Sequence, residues 1–178
     1  LLLLRRTAYC KEASVIQAIQ KHVAWRALPV AALVAGTLFL LVNILLMPSV
    51  LETDPLLLIR YQASLVMGES ALLSPDASVI VIGIIVHYVL SFLFTLIITI
   101  VIHRWGLVVG IVGGAILGLA LYGINLYTMT LFFPWFYAIN NNVLLLSHVV
   151  FGATAGGVYE LLDTYDLPIE GVSTDVST

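Results

Sequence analysis

Four runs of apolar residues divide the chain, at Leu28–Met47, Val79–Ile102, Leu107–Phe132 and Val143–Leu161. Each is close to the roughly 20 residues that a helix needs to cross a bilayer. Asp, Glu, Lys and Arg are missing from all four runs except for Glu160, at the very end of the last. The runs lack the alternation of barrel strands, and in lipid the backbone must satisfy its own hydrogen bonds. The pattern therefore predicts an all-α integral membrane protein, a four-helix bundle.

The polar segments between the runs complete the organisation. Residues 1–26 form a cytoplasmic segment in which Val15, Ile16, Ile19 and Val23 share one helical face, as in an amphipathic helix on the membrane surface or an extension of the first span. Residues 27–162 make the membrane domain, and residues 163–178 an acidic cytoplasmic tail that reads as partly disordered. The loop 48–78 is long. Within it, TDPLLLIRYQASLVMG has Thr53 or Asp54 to cap a helix, Pro55 in its first turn and Gly68 to end it. That stretch is too short to cross and predicts an interfacial or partly re-entrant helix. Arg60 is its only cation; a local ion pair with a neighbouring carboxylate is the first expectation, and a lipid headgroup phosphate the second.

Small residues recur every four positions in each span: Ala32 and Gly36; Ser91, Thr95 and Thr99; Gly110, Gly114 and Gly118; Gly152 and Gly156. Such stripes let helices approach closely where lipid supplies no hydrophobic drive for them to associate. They predict a compact bundle, with spare stripes for other membrane subunits or for self-association.

The polar residues inside the spans repeat as well. Gly36, Asn43 and Met47 match Gly118, Asn125 and Met129 at an offset of 82. His87, Ser91 and Thr95 match His148, Gly152 and Gly156 at an offset of 61. This predicts a tandem two-helix repeat whose copies run the same way through the membrane. Asn43 sits about 5 residues from the outer end of its span, or ~7 Å of depth, and His87, Asn125 and His148 lie at comparable or greater depth. Asn43, His87, Asn125 and His148 are expected to form a polar layer. It either locks the bundle or holds a haem b or a quinone between the histidines.

Composition sharpens this only in part. Of 178 residues, 61% are hydrophobic and 10% charged, with a mean hydropathy of +1.11, against ~25% charged in soluble domains. Arg5, Arg6, Lys11, Lys21 and Arg26 precede the first span, Arg104 lies between the second and third, and Arg60 alone falls on the other side. By the positive-inside rule both termini are cytoplasmic. Trp25 and Trp105 then mark the inner interface, and Trp135 the outer. The chain begins with Leu1, which is not read as a translation start. The single Cys10 offers neither a disulfide nor a metal partner. No basic cluster points to nucleic acid, and His22 and His103 are expected to be solvated. An ion pathway lacks its usual intramembrane charge. No HExxH motif, phosphate loop or serine–histidine–acid group occurs in the spans, so an enzyme is not expected.

The stretches IRYQASLVMGESALLSP, VHYVLSFLF, GLALYGINLYTMTLFFPWF and SHVVFG resemble a family of small, uncharacterised bacterial inner-membrane proteins with four spans, some of them automatically labelled sodium:proline symporter. The resemblance runs from about Gly36 to Tyr159. It places Arg60, Gly68, His87, Asn125, Pro134, Trp135 and His148 on motif positions and implies the four-span architecture, with no catalytic residue. The expected role is an accessory or scaffold subunit of a larger respiratory or photosynthetic complex. The alternatives are a haem- or quinone-binding module at His87 and His148, and a small oligomeric transporter or channel.

Overall fold

The computed structural model describes residues 24–165, all of whose regular structure is helical. The amphipathic segment ahead of residue 24 and the tail beyond residue 165 lie outside the described residues. Five α-helices follow in order: α1 (Ala27–Leu51), α2 (Leu57–Met67), α3 (Ala77–Ile102), α4 (Leu107–Phe132) and α5 (Asn142–Tyr165). Short 3₁₀ turns span Glu69–Leu72 and Pro134–Ile139. The helices α1, α3, α4 and α5 are long and apolar enough to cross a membrane, and the chain is a multi-pass membrane protein.

The helix ends follow local chemistry. Pro29 sits in the first turn of α1, where its missing N–H would have no partner anyway. The first span was expected to end at Met47, with the loop beginning at Pro48. Instead α1 runs one turn further and stops where Glu52 takes a left-handed conformation, at φ 53°. Proline costs the bond to the carbonyl four residues back, which the final turn tolerates. Asn141 starts α5 by accepting the Leu144 N–H at 2.9 Å. At its other end α5 continues to Tyr165, past the expected domain boundary at 162.

Around the bundle, α5 packs closely on α4 and on α1, and α1 packs on α3. The α3–α4 side is the loosest, although these two helices are joined by the shortest turn. The tight α4–α5 seam comes from glycine. A Cβ on Gly114 would strike the Gly152 carbonyl, and a Cβ on Gly118 would strike that of His148. Gly156 meets Gly110 in the same way. The backbones meet directly, as small-residue stripes permit. The other stripes also turn inward, with Ala32, Gly36, Ser91, Thr95 and Thr99 all buried. The expectation of spare stripes for other chains is thus corrected: among the described residues, every stripe contributes to the internal packing of the bundle.

The loop helix α2 lies against α3. Ile59 rests on Gly83, where any Cβ would meet the Ile59 carbonyl. Arg60 forms the expected local ion pair, with its Nε 3.4 Å from Asp54 Oδ2, and its Nη1 donates to the Ser74 carbonyl. Trp135 donates to Ser64 Oγ at 3.0 Å, and the Tyr61 and Phe136 rings meet edge-on at 5.4 Å. These contacts clamp α2 to the Pro134–Ile139 turn and close one end of the bundle.

The opposite end is held by a carboxylate. Glu160 is buried, and its two oxygens accept the N–H groups of Arg104 and Gly106 at 2.8 and 2.9 Å. Arg104 and Gly106 have positive φ, 63° and 88°, so the carboxylate stabilises a strained turn. Charge-assisted bonds of this kind are worth about 1.5–3 kcal/mol each. Glu160→Ala is expected to lower stability by roughly 2–4 kcal/mol, read as an earlier unfolding midpoint in a detergent titration. Beside it, His103 Nδ1 lies 2.9 Å from the Tyr159 hydroxyl. His103 is partly buried and is not the solvated residue the sequence predicts, because Tyr159 and Asp163 flank it.

Candidate functional site

The four expected polar residues do not join into one layer. Asn43 donates to Ser147 Oγ at 2.7 Å and to the Phe39 carbonyl at 2.8 Å, so it ties α1 to α5 without touching a histidine. His87 bonds Gln62 of α2 and the Gly36 carbonyl of α1. His148 bonds back to Leu144 in its own helix, at 2.8 Å, and meets Asn125 only at 3.5 Å. The closed ring is thus corrected to separate clusters. The reason is Phe39, one turn before Asn43, whose ring packs on both imidazoles, 5.6 Å from His87 and 5.0 Å from His148.

The positions that match in sequence at offsets of 82 and 61 meet in comparable ways. Gly36 lies against His87 and Ser91 across the α1–α3 contact. Gly118 lies against His148 and Gly152 across the α4–α5 contact. The asparagines differ: Asn43 makes a short interhelical bond and Asn125 a long one. Interhelical bonds of this type are worth about 0.6–1.7 kcal/mol. Asn43→Leu is therefore expected to destabilise the bundle by about 1 kcal/mol and Asn125→Leu by less, compared in the same unfolding titration.

The histidine tautomers follow from their neighbours. The Gly36 carbonyl, 2.9 Å from Nε2 of His87, can only accept, so Nε2 carries the hydrogen. Nδ1 then accepts, and Gln62 donates to it through Nε2 at 3.0 Å. This fixes the orientation of the Gln62 amide and leaves its Oε1 buried, with no partner among the described residues. In the same way Leu144 O holds the hydrogen on Nδ1 of His148, so Nε2 of His148 is an acceptor facing the Asn125 amide.

Gln62, His87, Asn125 and His148 all line a single cavity of about 100 Å³. Phe39 of α1 and Phe151 of α5 form its back wall. Leu58 of α2 and Phe136 of the Pro134–Ile139 turn close its end. Its front is the loose α3–α4 seam, where Leu90, Phe94, Tyr122 and Leu126 are partly exposed on the lipid-facing side. Asn43 and Arg60 are not among the lining residues.

A haem held by both imidazoles does not fit this geometry. Both nitrogens of His87 are engaged within the protein, so neither offers a lone pair to iron. Phe39 occupies the ground against both rings, and the cavity is far smaller than a porphyrin. Among the described residues, no group of three or more His, Cys, Asp or Glu gathers.

Sequence reasoning placed His87, Asn125 and His148 at the site, placed Asn43 there although it bonds Ser147 away from the cavity, and missed Gln62 and Phe39. Phe39 was detectable, since it shares a helical face with Asn43 at a spacing of four. Gln62 was not, because only the docking of α2 on Gly83 turns its side chain inward.

Comparison of the chain with protein-family models, with curated proteins and with solved structures finds no match. The resemblance to small four-span proteins neither gains nor loses support from them.

Proposed function

We propose that the protein is a non-enzymatic binding module of the membrane that takes a ring-bearing lipid of the quinone type into the cavity behind the α3–α4 seam. The observation that carries this reading is the cavity, which has aromatic and aliphatic walls and polar side chains from four different helices: Gln62 of α2, His87 and Ser91 of α3, Tyr122 and Asn125 of α4, and His148 of α5. Ligand sites combine apolar lining with a few placed polar groups in this manner. An apolar cavity of about 150 Å³ holds benzene, and one of about 100 Å³ is on the scale of a single ring. A polyprenyl tail would leave through the seam into lipid, past Leu90 and Leu126.

This reading takes precedence over the scaffold role, whose motive was exposed small-residue stripes, because those stripes are buried. The reading places both termini in the cytoplasm, supported by the distribution of Lys and Arg, and takes the bacterial inner membrane from the resemblance to small four-span proteins. It includes descent from a two-helix repeat, supported by the corresponding surroundings of Gly36 and Gly118.

The test is a titration of the protein in lipid nanodiscs with a decyl-substituted benzoquinone, followed by quenching of tryptophan fluorescence. Trp135, bonded to α2 at the closed end of the cavity, is the reporter. Saturation near one ligand per protein is expected. A response that rises linearly with quinone, as simple partitioning gives, would overturn the reading.

A further inference from the structure

We propose that Asn125 and His148 together read the ring oxygen of the ligand, Asn125 answering a keto oxygen and His148 a hydroxyl, an inference that rests on the binding-module reading. Six polar side chains line the cavity, but they are not equally open to it. Gln62, His87 and Ser91 are buried. His87 is bonded at both nitrogens, to Gln62 and to the Gly36 carbonyl. Ser91 lies against Gly36 and 3.4 Å from Nε2 of His87. Gln62 and Ser91 keep hydrogens able to donate, but their cluster is packed where α1, α2 and α3 meet. Tyr122, Asn125 and His148 are only partly buried, and the Tyr122 hydroxyl is turned to Asn140 Oδ1. The polar atoms most open to a ring are therefore those of Asn125 and His148, on the wall made by α4 and α5.

These two groups differ in kind. Nδ1 of His148 gives its hydrogen to Leu144 O at 2.8 Å, so Nε2 can only accept. The Asn125 amide nitrogen faces it from 3.5 Å and can only donate, through two hydrogens. That separation is longer than a normal hydrogen bond, so the two groups hold each other weakly and both can engage a third partner. A keto oxygen accepts, so it takes a hydrogen from Asn125 and gains nothing from Nε2 of His148. A hydroxyl donates, and Nε2 of His148 is the acceptor placed for it. A donor and an acceptor side by side thus hold either form of the ring, each form through a different residue. No electron transfer is invoked, and the cavity is not required to prefer one form.

The test measures the decyl benzoquinone and its hydroquinone on the parent protein, on Asn125→Leu and on His148→Phe, by calorimetry in nanodiscs under anaerobic conditions. Asn125→Leu is expected to weaken the quinone by about fivefold relative to the hydroquinone. His148→Phe is expected to weaken the hydroquinone by about fivefold relative to the quinone. The ratio of the two affinities is the readout, because general damage to the cavity lowers both together. The infrared carbonyl stretch of the bound quinone is a second readout. One carbonyl band is expected below the free frequency in the parent protein and in His148→Phe, and back at the free frequency in Asn125→Leu. If either variant fails to fold, the other still decides. A ratio that does not move in the expected direction in a folded variant, or a carbonyl band that stays lowered in Asn125→Leu, would overturn this inference and leave the binding module standing. Failure of both probes to bind the parent protein would overturn both.

Discussion

Gly152→Leu unfolds the bundle. A Cβ at Gly152 would strike the Gly114 carbonyl and lie 2.8 Å from the Cα and N of Gly118. Those are backbone atoms, with no rotamer to turn aside. The α4 and α5 axes would have to separate, and the reciprocal contacts of Gly114 and Gly118 would go with them. Overpacking a core costs typically 1–3 kcal/mol where side chains yield. Here the expected loss is at the upper end or beyond, roughly 3 kcal/mol or more. A denaturant titration in detergent micelles reads it as a midpoint shifted far below that of the parent protein. Gly123→Ala is the control. No atom lies within 4 Å of a Cβ at Gly123, and replacing a helical glycine there is expected to stabilise by up to about 1 kcal/mol. An unshifted midpoint for Gly152→Leu would mean that α4 and α5 do not meet along this face.

Leu126→Trp closes the cavity without disturbing the fold. Leu126 lines the cavity at the seam and is only partly buried, so the larger ring has room to swing inward. Filling a cavity commonly adds about 0.5–2 kcal/mol of stability. The same indole stands where the ligand ring would enter and clashes with it. The unfolding midpoint is expected to hold or rise while quinone affinity falls by roughly tenfold or more. The opposite signs separate a blocked site from a damaged protein. Unchanged affinity would place the ligand elsewhere.

The spans were legible because lipid imposes one rule on every residue of a crossing helix. Hydrophobic length alone located α4 at its observed limits, Leu107–Phe132. The glycine stripes showed which helix faces approach closely, but not that those faces are all used internally, since a stripe does not name its partner. Polar contacts were harder still. Ser147 and His148 are adjacent in sequence and point about 100° apart on a helix. Nothing local decides that Ser147 faces Asn43 while His148 faces the cavity. That depends on the rotation of α5, which the glycines of α4 impose. Glu160 gave a signal that went unused: it is the single acid in a span, and such a group calls for nearby donors. Those donors are backbone N–H groups of a turn 54 to 56 residues earlier, and no side-chain pattern displays them.

The central claim is that the space among α2, α3, α4 and α5 is a ligand site. The most direct measurement is lipid analysis by mass spectrometry of the protein extracted in discs of its native membrane, with Leu126→Trp prepared in parallel. The account predicts a ring-bearing isoprenoid lipid at about one copy per parent protein, depleted in the variant. The same lipid profile for both proteins, matching the bulk membrane, would contradict it.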